Sequence, residues 1–176
     1  MMKKTMMTIV LALMAMLSAG AQTLTGNWAC EVPDEETGGG MVFLLAFEGN
    51  LMRQFVIGVS GMENVGAVTT IVTVPAQSYT PGSKVLDFKF DASQAEVILK
   101  DIEFDDDVKA SFAANPKKEE LLTETVEAMF KAKAKELAEN LLLSGKHTIG
   151  KVTKDSFVLT DEDGETYTFK DDNPQD

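Results

Sequence analysis

The chain has one Cys, one His, one Trp and a single Arg, Arg53. One Cys excludes an intrachain disulfide framework. One Cys with one His also excludes a thiolate and imidazole zinc site. A Ser-His-Asp or Cys-His device would have to be built on His147, and no Gly-x-Ser-x-Gly elbow is present. Basic residues are scarce as well. Lys+Arg 16 against Asp+Glu 28 gives a formal charge of -12, which argues against nucleic acid as a partner because phosphate binding needs a basic surplus. The 44% hydrophobic content of 176 residues is that of one globular domain.

The N-terminus reads MMKKTMMTIVLALMAMLSAGAQ. Lys3 and Lys4 form a positive start, Thr5 to Ser18 an apolar core, and Ala19-Gly20-Ala21 offers small residues at a cut. That order is the signature of a secretory signal peptide, with cleavage expected before Gln22. The expected product is secreted or periplasmic, and more acidic for the loss of both lysines. Most of the Met residues (Met1, Met2, Met6, Met7, Met14 and Met16) belong to this segment, so they support no Met-rich binding surface. No later run is long and apolar enough to span a bilayer, so no integral membrane segment is expected after cleavage.

Residues 22–170 are expected to form the domain, with a polar tail over 171–176. Asn27 to Val32 alternates, with Trp28, Cys30 and Val32 on one face. An acidic and glycine-rich loop follows, ending in Gly38-Gly39-Gly40. Met41 to Phe47 and Leu51 to Val59 flank the turn signal Glu48-Gly49-Asn50 and read as a hairpin. Val65 to Val74 is rich in the β-branched residues that suit a pleated surface. Pro75 to Ser83 reads as loop. Val85 to Phe90 puts Leu86, Phe88 and Phe90 on one face. Ala95 to Phe104 alternates imperfectly, which suggests a bulge.

The period then changes over 105–145. Asp105-Asp106-Asp107 opens a short helix with Val108 and Phe112 four apart; the acids suit its positive end. Asn115-Pro116 breaks it and starts a second helix, expected to run to about Leu143 and to stop at Ser144-Gly145. Leu122, Val126, Met129, Phe130, Leu137 and Leu141 form its apolar stripe, and Lys133 falls inside that stripe. Its stem can pack while its amine reaches water; the sharper reading aims the amine at an acidic ligand. Thr148 to Thr153, Ser156 to Asp161 and Glu165 to Lys170 then read as a meander. Asp163-Gly164 is a hairpin turn rather than a calcium loop, because the segment is too short for one.

About nine short strands with tight turns read as a mainly β fold, an antiparallel up-and-down barrel with an inserted helical hairpin. The insertion is expected to dock by one face across a barrel end or flank and to control access to the interior. Trp28, Val32, Phe43, Phe47, Phe88, Phe157, Tyr167 and Phe169 are the expected core.

Leu24-Thr25-Gly26-Asn27-Trp28 resembles the Gly-x-Trp opening of lipocalins and their calycin relatives, and Val152 to Lys170 is similar to the closing meander of small secreted bacterial lipocalin-like proteins. The resemblance implies structural roles for Gly26 and Trp28, with Lys170 of the last strand stacking on the Trp ring where the family more often has Arg. It also implies a binding protein rather than an enzyme. Two functions are open: a carrier of a small apolar or amphipathic molecule, with Lys133 and Phe130 near the ligand, or an interaction or inhibitor module acting on another protein through a packed barrel. No cofactor or metal is expected. His147 reads as an ordinary surface histidine, and Cys30 as a buried free thiol, with an intermolecular disulfide as the alternative.

Overall fold

The computed structural model describes residues 23–33, 40–115 and 117–172. The expected signal peptide and its cleavage site, Gly38 and Gly39 of the triple glycine, Pro116 and the end of the polar tail lie outside the described residues. Ten strands form one antiparallel sheet: β1 (Gly26–Pro33), β2 (Gly40–Glu48), β3 (Leu51–Met62), β4 (Gly66–Thr73), β5 (Gln77–Ser78), β6 (Val85–Phe88), β7 (Glu96–Phe104), β8 (Gly145–Val152), β9 (Ser156–Thr160) and β10 (Thr166–Asp171). The order is β6-β8-β9-β10-β1-β2-β3-β4-β7, with β5 on the side of β3. β5 sits in the stretch read as loop; a two-residue strand leaves no alternation to detect.

The alternation in sequence becomes a single buried face. Trp28, Phe43, Phe47, Phe88, Phe157 and Phe169 are buried as expected, joined by Leu45, Met52, Val56, Val68, Val72 and Leu159. Val32 and Tyr167 are half-buried against this core. The sheet is strongly curled. Phe47 of β2 and Phe157 of β9 are separated along the sheet by β10 and β1, about 14 Å if it were flat. Their ring centroids are 6.4 Å apart, and Trp28 meets Phe157 edge-on at 5.1 Å. A side chain spans the curl further on. Gln77 of β5 gives its Nε2 to the Asp87 carbonyl (2.7 Å) and takes the Lys89 N–H on its Oε1 (3.0 Å), as a strand peptide would. No ladder pairs β6 with β7, so the sheet is open in its hydrogen bonding.

Turn chemistry sets the register. Glu48 pairs with Leu51, so Gly49-Asn50 is a two-residue hairpin loop, and Gly49 has φ 59°. Gly66 has φ 131°, and a Cβ there would fall 2.0 Å from the Glu103 carbonyl oxygen, so only glycine fits between β4 and β7. The suspected bulge lies in β7: Thr69 pairs with Asp101 and Thr70 with Leu99, which leaves Lys100 as the extra residue.

The insertion is three helices: α1 (Asp106–Ala114), α2 (Lys117–Ala132) and α3 (Ala134–Leu141). The single long helix expected from Asn115 to about Leu143 is therefore interrupted. At Lys133 the N–H is shared between the carbonyls of Met129 (3.3 Å) and Phe130 (3.1 Å), a tightened turn that ends α2. Docking is by one face. Phe112 of α1 meets Phe104 of β7 edge-on at 5.0 Å, and Val126, Phe130 and Ala138 are buried. Ion pairs such as Glu127–Lys131 (2.7 Å) lie on the solvent side, where each contributes only tenths of a kcal/mol, about 0.2–0.5. α2 packs on β7, and α3 packs on β4, β7 and the 3₁₀ turn at Ala92–Gln94.

Candidate functional site

The helices and the α3–β8 connection overlie one end of the curled sheet. A concavity of about 580 Å³ lies between α3 and the 3₁₀ turn, lined by Phe88, Asp91, Lys135 and Glu139, and two further concavities, which adjoin each other, open beside it. The first has a volume of about 430 Å³. Its apolar side is Val32, Met41, Phe43 and Leu141, and His147 and Tyr167 join it from β8 and β10. Asp161, Glu162, Asp163 and Glu165 of the β9–β10 turn line its other side, with Lys146 among them. The second, about 240 Å³, lies beneath Phe130, Leu137 and Leu141 and reaches Thr70 of β4. Val32, Met41 and Leu141 border both, so the two are neighbours across one apolar wall.

His147 is buried, 3% exposed, which corrects its reading as a surface residue. It opposes Leu86 in register and occupies an inward position of β8. Phe88 lies edge-on to its ring at 5.0 Å and Tyr167 is tilted at 6.1 Å. Its Nδ1 has no hydrogen-bond partner, nor does Oε1 of Gln54, whose Nε2 donates to the Leu143 carbonyl at 3.1 Å. Both unmatched atoms sit in side chains of the inward face, where burial without a partner is costly. A β strand beginning at Gly145 rather than Thr148 is what places His147 inward, and the Gly145 helix stop obscured that start in the sequence.

The acidic turn is built by one of its own members. Asp161 Oδ1 accepts the N–H groups of Asp163 (3.0 Å) and Glu165 (2.8 Å), an Asx-type turn, and Gly164 takes φ 89°. Burial, with a hydrogen bond to Glu165 and the nearby acids, pushes the Tyr167 hydroxyl up to about 12. It therefore stays a neutral hydrogen-bonding group at ordinary pH. Cys30 is a buried free thiol, and desolvation raises its pKa, the opposite of what a reactive thiolate needs.

Of the residues singled out in the sequence, Phe130 is buried and lines the smaller concavity. Lys133 is exposed at the α2–α3 break and borders neither cavity, a correction to its place in the apolar stripe. The buried line runs Val126, Phe130, Ala138 and drifts around the helix away from it. Gly26 takes φ 77°, so glycine suits this opening of β1. Trp28 is 6% exposed and donates its indole N–H to the Thr25 carbonyl at 2.9 Å. Lys170 does not stack on it: Lys170 is exposed and opposes Ala29, on the other face of the sheet from the ring. Phe157 takes the place expected for the cation.

Comparisons with protein-family models, curated proteins and solved structures find no match to this chain.

Proposed function

We propose that this is a secreted or periplasmic lipocalin-like binding protein whose curled sheet acts as a barrel and whose ligand, a small apolar or amphipathic molecule, sits at the helix-covered end. The Gly26-x-Trp28 opening and the single inward face support the barrel reading. The observation that carries the binding reading is the pair of adjoining concavities, about 430 and 240 Å³, walled by Val32, Met41 and Leu141. Volumes of several hundred Å³ are the scale of small-molecule sites. The aromatic packing of Trp28, Phe47, Phe157 and Phe169 fills the other end, so the ligand belongs at the mouth and not deep in a calyx. The activity is binding and not catalysis.

A second reading, an interaction module, draws on the outer face of the sheet. There Val42, Ile57, Ile71 and Ile98 form one apolar row across β2, β3, β4 and β7, with Leu44 and Phe55 in the next. Val59 and Ile98 are 52% and 51% exposed, unusual where one face of a sheet meets solvent. Native mass spectrometry of protein purified from its source separates the two. A retained small molecule supports the first reading; a stoichiometric protein partner without one supports the second.

A further inference from the structure

We propose that the two adjoining cavities form one elongated site for a straight-chain amphiphile, with its aliphatic tail in the smaller hollow and its polar head in the larger. The inference rests on the small-ligand reading and names the ligand's shape and orientation. Its starting point is a glycine. Met52, Gln54 and Val56 are the buried positions of β3, and Gly58 is the next in that alternation. A glycine weakens a strand interior, and where it serves no bulge it marks a tight bend or a close approach by a ligand or another backbone. No bulge lies here: Gly58 opposes Met41 on one side and Thr70 on the other, and the register shifts on neither. Its φ is outside the left-handed region. Among the described residues, the nearest atom that a Cβ on Gly58 would meet is Cγ of Met41, at 3.9 Å, an ordinary contact. Backbone and neighbours therefore admit a side chain at this position, and its absence leaves the smaller hollow open.

That hollow has Gly58 and Thr70 on the sheet side and Phe130, Leu137 and Leu141 on the helix side. None of the described residues lining it is charged, so it suits hydrocarbon. At about 240 Å³ it falls below the roughly 300 Å³ at which small-molecule sites begin, and it needs its neighbour to hold a whole ligand. The larger cavity supplies the polar end through Asn140, Ser144 and Lys146, all exposed. The wall between the two is thin and adaptable. Val32, Met41 and Leu141 are only half-buried. Met41 is an unbranched thioether that changes rotamer easily, and the Gly58 opposite gives it room. Leu141 is the last residue of α3, after which Leu142 leaves in extended backbone. A narrow flexible chain can pass between such side chains, whereas a compact body of equal volume is too wide for either hollow and the passage.

The test titrates the mature chain with straight-chain alcohols, hexanol through dodecanol, and with adamantanol, which folds the carbons of decanol into a cage. Affinity should rise about fourfold per methylene until the smaller hollow is full and then level off. Decanol should bind about tenfold or more tightly than adamantanol. Gly58→Leu fills the hollow from the sheet side and should bring the long alcohols down to the affinity of hexanol. Leu137→Trp, filling it from the helix side, should do the same and serves if the first variant does not fold. In methionine methyl NMR, Met41 should move with decanol and Met52, opposite Phe47 at the packed end, should not. Adamantanol bound as tightly as decanol, or no dependence on length, overturns the straight-chain inference and leaves the small-ligand reading standing. Length dependence that survives both variants, or an unmoved Met41, overturns the placement of the tail. Binding of none of the alcohols overturns the inference as well, and the small-ligand reading then stands or falls on the native mass spectrum alone.

Discussion

The two ends of the curled sheet solve the same packing problem differently. At the Trp28 end, aromatic rings interlock: Trp28 on Phe157, Phe157 stacked on Phe169 at 5.1 Å, Phe47 edge-on to Tyr79 at 5.1 Å. The polar handles there are used. The Trp28 indole reaches the Thr25 carbonyl, and the Tyr79 hydroxyl donates to the Leu24 carbonyl at 2.9 Å. At the helix-covered end there are three concavities, an acidic turn, and the unmatched atoms of Gln54 and His147. Dense packing and full hydrogen bonding fix one end, while the other keeps room and unmet polar groups, the combination a binding site needs.

The largest expected effect tests the packed end. Trp28→Ala should cost about 3–5 kcal/mol in denaturant unfolding. A loss below about 1 kcal/mol would mean that this end is not the stable one. Phe130→Ala at the mouth should cost less, about 2–3 kcal/mol, because a wall beside an existing cavity can relax into it. Hydrogen exchange sharpens the contrast: amides of α2 and α3 should open at lower free energy than those of β2 and β3. Equal protection of helices and strands would merge the two ends into one cooperative unit.

A smaller effect is confined to alkaline pH. The Tyr167 hydroxyl, ordinarily near 10, is raised to about 12 in the fold. The folded state therefore holds a proton that the unfolded chain releases above pH 10. Its contribution is fully present below that pH and is lost as pH rises toward 12. Tyr167→Phe should flatten this part of the stability profile relative to the parent; parallel profiles would place the hydroxyl in water. The smallest effect belongs to Lys133→Ala, within about 0.5 kcal/mol, as for an exposed side chain. A larger loss would return the lysine to the packed face.

What the sequence disclosed follows from period. Strands that alternate between a core and solvent, as in Leu86, Phe88 and Asp87, are readable because a period of two has few rivals, and even the β7 bulge left a trace in its broken alternation. The helix break at Lys133 had no Gly or Pro to announce it; a bifurcated backbone hydrogen bond in an Ala- and Lys-rich stretch has no compositional sign. Lys133 was misplaced for that reason. His147 was misread because its neighbours Lys146 and Thr148 are polar, and only its partner across the ladder, Leu86, reveals the inward side. The mouth itself draws on β1, β2, β8, the β9–β10 turn and α3, and such a gathering is set by strand order. The outer apolar row hid in plain view: Val42, Ile57, Ile71 and Ile98 are unremarkable singly and become a stripe only in register.

The pairing of β1 with β10 has a consequence for how the chain must be made. These are the first and last of the described strands, joined with Trp28 opposite Asp171. Contacts so distant in sequence form late, since a long loop must close before they contribute. Until β10 arrives, one side of β1 is an unpaired edge. Cys30 sits on that strand, and in the finished fold its thiol is buried and interacts with the Thr168 backbone. Until β10 pairs, the same thiol lacks that cover. The lone thiol is thus shielded only once that pairing has closed, and any delay in the closing step lengthens the interval in which two nascent chains can become covalently linked.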